Sequence, residues 1–261
     1  MGNRRTTARV GKTGGAERRS YRLLVVADQI ALAKEAAERC ARIAEEAVAL
    51  AGRFTIALSG GSTPKLLYER LASREIRERI PWSRIEIFLG DERPVATDHP
   101  DSNFGMARDA LLAHVAVRAH PMPAAIGDAD AYERLVRERV APGRQGIPAF
   151  DLILLGIGSD GHTASLFPGT TALDERERLV VMNDVPQHAT RRMTFTYPLV
   201  NAARRVWVLA TGAAKRDVVA ACLRGADPAR HPAAGVRPRD GELVWWLDEP
   251  AASALDRKEI A

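Results

Sequence analysis

Residues 151–169 read DLILLGIGSDGHTASLFPG and join an apolar run, Leu152 to Leu155, to a loop holding Gly156, Gly158 and Gly161. A short apolar run bounded by glycine is the pattern of a strand buried on both faces, as in the interior of a parallel sheet. The glycines also spell G-x-G-x-x-G, the dinucleotide fingerprint, which needs a helix after the third glycine and an acidic residue about 20 positions on. Asp184 answers the second need. The first fails, because HTASLFPGTTALDERE has no helical apolar stripe and Pro168-Gly169 interrupts it. Asp160 would also set a carboxylate against the pyrophosphate. What remains is a loop that presents Asp160 and His162 at the carboxyl end of a strand.

Outward from this stretch, strand-like and helix-like segments alternate. RLLVVA (22–27), FTIALS (54–59), RIEIFLG (84–90), FDLILLG (150–156), RLVVMN (178–183), RMTFTY (192–197), RRVWVLAT (204–211) and the terminal ELVWWLD read as strands. The Ala/Glu/Arg stretch 28–51 carries Ile30, Ala33, Ala37, Cys40, Ala44 and Val48 at helical spacing. Further helical patterns follow in TPKLLYERLASREI, FGMARDALLAHV, ADAYERLVRERV and GAAKRDVVAACLRG, and Asp248 reads as the cap of a last short helix. This alternation predicts an α/β fold, a mostly parallel, Rossmann-like open sheet flanked by helices. The Pro/Gly-rich segments 141–148 and 231–241 read as surface loops, leaving one catalytic domain over 21–261.

The 261 residues can bury a sizeable core, and no apolar run approaches the ~18 residues of a membrane span. The net charge of +5 belongs to one end: residues 1–22 hold seven Lys and Arg against Glu17 alone, so the rest is near neutrality. Residues 1–20 are expected to be a solvated, disordered basic tail. With no basic patch interleaved with aromatics elsewhere, nucleic acid is not an expected partner, nor is a membrane. Cys40 and Cys222 lie in helix-like sequence and read as buried thiols of a reducing compartment rather than a disulfide.

Two more constellations fall at strand ends. In LSGGSTP (58–64), Gly60 and Gly61 permit a tight turn, Ser62 and Thr63 offer hydroxyls, and Thr63 with Pro64 suits the start of a helix. The free N–H groups there would cradle a phosphate, although the Walker lysine spacing is absent and a plain strand–helix turn reads equally well. In FLGDERPVATDHPDSNFG (88–105), Asp91, Glu92 and Arg93 follow a buried strand, as a site or as a solvated loop and helix cap. Asp91, Asp98, His99 and His162 have no recognised metal-ligand spacing. His99, His114, His120, His188 and His231 read as surface residues.

Together these motifs resemble the 6-phosphogluconolactonase family, within the wider group shared with glucosamine-6-phosphate isomerase/deaminase, over roughly Val25 to Leu255. The deaminase branch has Asp-Glu-Tyr where this chain has Asp91-Glu92-Arg93, and Asn-Glu-Pro where this chain has Leu166-Phe167-Pro168. The resemblance implies hydrolysis of 6-phospho-D-glucono-1,5-lactone to 6-phosphogluconate in the pentose phosphate pathway. The expected enzyme is cytoplasmic, acts on a small sugar-phosphate lactone as a monomer or homodimer, and needs no metal or organic cofactor. His162 is the expected base, with Asp160 or Asp91 to orient it, and N–H groups around Gly158 and Gly161 as oxyanion donors. Phosphate is expected on Gly60, Gly61, Ser62 and Thr63, with Lys215 and Arg192 by resemblance, Arg93 near the substrate and Asn201 near the pocket. A sugar-phosphate isomerase or deaminase, and a non-catalytic sugar-phosphate sensor, are the alternatives. Phe167 and Arg93 count against the first; the second would need a DNA-binding module that ~20 residues cannot supply.

Overall fold

The computed structural model describes residues 9–10 and 21–260. The strands are β1 (Arg9–Val10), β2 (Arg22–Val26), β3 (Phe54–Leu58), β4 (Ile85–Leu89), β5 (Asp91–Glu92), β6 (Arg118–His120), β7 (Leu152–Gly156), β8 (Val180–Val185), β9 (Thr190–Phe195), β10 (Arg205–Ala210) and β11 (Glu242–Asp248). The main sheet runs β1-β2-β11-β10-β7-β3-β4-β6, parallel throughout except for β1, which pairs antiparallel with β2. A small antiparallel sheet, β5-β9-β8, stands beside it. Apart from the backbone of Arg9 and Val10, the expected tail over 1–20 lies outside the described residues.

Helix α1 (Gln29–Ala51) starts where the Asp28 carboxylate accepts from the N–H groups of Ile30 and Ala31, and ends at Gly52 with φ 72°. It buries Leu32, Ala33, Ala36, Ala37, Cys40, Ala41, Ile43 and Ala44. The stripe expected from Ile30 begins instead at Leu32; Ile30 projects from the first turn and is 62% exposed. Helix α2 (Ser62–Leu71) follows β3, with α3 (Arg74–Arg77) after it. Next come α4 (Asn103–Ala110), α5 (Ala129–Arg139), α6 (Tyr197–Val200), α7 (Arg216–Leu223), α8 (Glu249–Ala252) and α9 (Arg257–Ile260). Cys40 and Cys222 are both buried free thiols, on α1 and α7, and burial pushes each up to about 12.

Leu152 to Leu155 in β7 are fully buried, as a strand covered on both faces should be. β7 and β3 are neighbours at the point where the chain order reverses: β3 leads outward to β4 and β6, β7 to β10 and β11. Loops leaving two such strands diverge and open a crevice at their carboxyl ends. Besides β1, two strands carried no signal in the pattern. β5 is two charged residues long, and β6 is a three-residue edge strand that places His120 opposite Phe88. His120 is therefore not a surface residue. Its ring lies 4.5 Å from that of Phe88, and Nε2 is 2.7 Å from Glu86 Oε2.

Candidate active site

The loop after β7 is shaped around His162. Gly158 N–H donates to His162 O at 2.9 Å and Gly161 N–H to Gly158 O at 3.1 Å. The N–H groups of the two glycines themselves are thus engaged within the loop, so of the N–H groups expected around them as oxyanion donors these two are already taken. A Cβ on Gly158 would lie 2.1 Å from His162 Nδ1, and Gly161 has φ +84° with His231 Cα 2.8 Å from where its Cβ would be. The spacing that imitates a nucleotide fingerprint makes room for an imidazole.

Asp160 Oδ1 lies 2.7 Å from His162 Nδ1 and also accepts the His162 backbone N–H at 3.1 Å. A carboxylate only accepts, so Nδ1 carries the hydrogen and Nε2 keeps its lone pair. Asp91 is engaged elsewhere. It is buried, with Oδ2 accepting from Ser165 Oγ at 2.7 Å and Oδ1 from Asn103 Nδ2 at 3.3 Å. Of the two carboxylates left open by the sequence, Asp160 holds the ring. Burial lowers the His162 pKa below its ordinary value, outweighing Asp160 and Asp91, which raise it; Arg192 lowers it further. Asp160 lies below the usual carboxylate range: burial pushes it up, but the His162 N–H and imidazole outweigh this.

The burial has a visible source. The Phe167 ring stacks on the imidazole at 4.1 Å and 23°, and the Arg192 guanidinium lies 5.3 Å from the same Phe167 ring. Ala164, on the cleft wall, has φ 47°, a strained value for a residue with a Cβ.

Across a cleft of about 240 Å³ lies the loop after β3. Helix α2 is capped by Gly61 (φ 108°) and begins at Ser62, a residue before the expected Thr63 cap. No side chain caps it, so its first N–H groups lack intrahelical partners and its positive dipole end faces the cleft. Thr63 Oγ1 is 2.7 Å from Thr211 Oγ1. A Cβ on Gly60 would sit 1.9 Å from Asn103 Oδ1, so the glycine admits the Asn103 amide. Arg93 Nη1 donates to that Oδ1 at 2.6 Å and to Asp101 O at 2.8 Å. Glu92 turns the other way and accepts from Asn103 N, Phe104 N and Ser102 Oγ at the start of α4.

Arg93, Arg192 and Lys215 all line the cleft. Arg192 is half-buried, and its Nε has no hydrogen-bond partner among the described residues. Burial lowers the Lys215 pKa while Asp160 raises it. Asn201 is elsewhere. It caps α6, donates to Gly235 O at 3.1 Å and accepts from Arg237 N at 2.6 Å, which corrects its expected place near the pocket. Asn103, Ser165 and Thr211 were missed. Thr211 was within reach of the rule that ligands gather at strand carboxyl ends, since it directly follows β10. Among the described residues no group of three or more His, Cys, Asp or Glu is gathered to hold a metal. No helix among them is long and apolar enough to cross a membrane.

The comparisons with known proteins bear on the family and the fold. The family model for glucosamine-6-phosphate isomerases/6-phosphogluconolactonase matches residues 27–245. The 6-phosphogluconolactonase of Synechocystis sp. is 46% identical over 218 residues, covering 80% of this chain and 88% of its own. That of Mycobacterium tuberculosis is 42% identical over 221 residues, with coverage of 80% and 88%. The structure of 6-phosphogluconolactonase from Trypanosoma brucei superposes with a TM-score of 0.79 at 31% identity, over 91% of this chain and 100% of that one. A monomeric glucosamine-6-phosphate deaminase, at 20% identity and a TM-score of 0.72 over 89% of this chain and 99% of its own, shares the fold. With a matched segment running from the end of β2 into β11, the chain belongs to the glucosamine-6-phosphate isomerase/6-phosphogluconolactonase family.

Proposed function

We propose that the chain hydrolyses 6-phospho-D-glucono-1,5-lactone to 6-phosphogluconate, a step of the pentose phosphate pathway. The observation that carries this reading is a cleft with an Asp160-oriented imidazole on one wall and a helix start without a side-chain cap, with three cations, on the others. His162 Nε2 takes a proton from water as the water oxygen bonds to the lactone carbonyl carbon, giving a tetrahedral oxyanion and an imidazolium. Collapse breaks the bond to the ring oxygen, which receives that proton from His162 and leaves as the hydroxyl of the open-chain acid. Asp160 fixes the tautomer and stabilises the imidazolium. Ser62, Thr63, Arg192 and Lys215 hold the phosphate, with Arg93 close to the sugar. One catalytic domain over 21–261, cytoplasmic and without nucleic acid or membrane as partner, fits this role.

Isomerisation or deamination would call for an acidic partner to tune the histidine. Phe167 occupies that place, stacked on the ring. The test is a paired assay on one preparation: opening of freshly generated 6-phosphogluconolactone, and ammonia release from glucosamine-6-phosphate. Lactone opening above the spontaneous rate with no ammonia is expected; deaminase activity exceeding lactonase activity overturns the proposal.

A further inference from the structure

At the amino-terminal ends of the strands, a hollow of about 360 Å³ opens between α1 and the starts of β2, β10 and β11. The ~17 Å length of β10 at the usual strand rise separates it from the cleft. Arg22, Arg39, Arg42 and Arg205 line it against Glu46 and Glu242, an excess of positive charge brought together from separate elements. Glu242 Oε1 already accepts from Arg22 Nη1 at 2.9 Å and from Arg39 Nη2 at 3.2 Å. The side chains of Arg42 and Arg205 have no hydrogen bond or ion pair among the described residues. Arg39 is half-buried, with Cζ 5.9 Å from the Trp207 ring centroid. Burial disfavours its charge most; Glu242 offsets this, while Arg22 and Arg42 add to it. One carboxylate thus serves two arginines, and four arginines against two glutamates leave the lining with two positive charges in excess.

We propose that this hollow binds the phosphate group of a small phosphorylated metabolite, or inorganic phosphate, between Arg39, Arg42 and Arg205. A phosphate dianion matches the local excess charge, and guanidinium forks match its oxygens in pairs. Arg39, laid over Trp207 and tied to Glu242, is ordered in advance. The hollow is large enough for a small organic body beyond the phosphate.

The experiment is calorimetric titration of the full chain carrying Lys215→Ala and Arg192→Ala, which weaken the cleft as an anion site. Inorganic phosphate and glycerol 3-phosphate are the probes, at constant ionic strength with chloride as the control. Saturable one-site binding is expected, weakened about 10-fold or more by Arg42→Ala or Arg205→Gln. In the otherwise unaltered chain, those two substitutions leave lactone kcat and KM unchanged. Tighter binding of glycerol 3-phosphate supports an organic ligand; equal binding supports phosphate itself. Absence of saturable heat, an equal response to chloride, or binding indifferent to Arg42→Ala and Arg205→Gln overturns the site.

Discussion

At His162, burial beneath Phe167 disfavours imidazolium while Asp160 and Asp91 favour it, and burial prevails. The folded pKa therefore lies below the ordinary value of about 6.5, and the neutral base persists to lower pH than a free histidine would allow. The unfolded chain takes up its proton first, so this residue costs stability as pH falls below about 6.5. The acid limb of kcat/KM, which reports the free enzyme, is predicted below that value. Phe167→Glu removes the apolar cover and adds a carboxylate, both of which favour imidazolium. Its limb should move to higher pH and its turnover at pH 7 should fall, as a pH–rate profile of both proteins would read; a shift to lower pH would deny the coupling. The histidine and its Asp160 partner were legible in the sequence because they crowd into one loop, whereas Phe167 beside them was implied only by the family resemblance. The choice between Asp160 and Asp91 was not, since it turns on Ser165 and Asn103 drawing Asp91 aside.

Among the elements, the two glycine loops were readable because a buried strand followed by glycine announces a turn at a sheet edge. Their glycines serve different ends. Gly158 clears space for the imidazole, Gly60 for the Asn103 amide, and neither need appears in a local pattern. Gly158→Ala should displace His162 and lower kcat by ~10²-fold or more, approaching loss of the base itself. KM should change little, because the proposed phosphate wall is untouched. Steady-state kinetics on protein of unaltered circular dichroism checks this, and wild-type kcat would show that the loop yields without moving the ring. Asn201 illustrates the opposite limit. Its direction is set by the end of the four-residue helix α6 and by bonds to residues 235 and 237, which no spacing reveals.

For the whole molecule, the site depends on the reversal of strand order between β7 and β3, which gathers residues from 60 to 215 into one crevice. Alternation made the parallel sheet legible; strand order, the separate β5-β9-β8 sheet and the short edge strand β6 arise from long-range pairing and were not. The same assembly sets the proposed phosphate site apart from the histidine. Lys215→Ala should weaken capture of the phosphorylated lactone by ~1.5–3 kcal/mol, the scale of a charge-assisted hydrogen bond. It should matter much less for unphosphorylated gluconolactone. Comparing kcat/KM on the two lactones decides it, and equal losses would remove Lys215 from the phosphate site. The central claim is that an oriented neutral histidine hydrolyses the lactone, and turnover of freshly generated 6-phosphogluconolactone by wild type and His162→Ala, with spontaneous opening subtracted, tests it most directly. A ~10²–10⁴-fold lower kcat with KM little changed is predicted for the variant; a folded His162→Ala protein with near-wild-type turnover would contradict it.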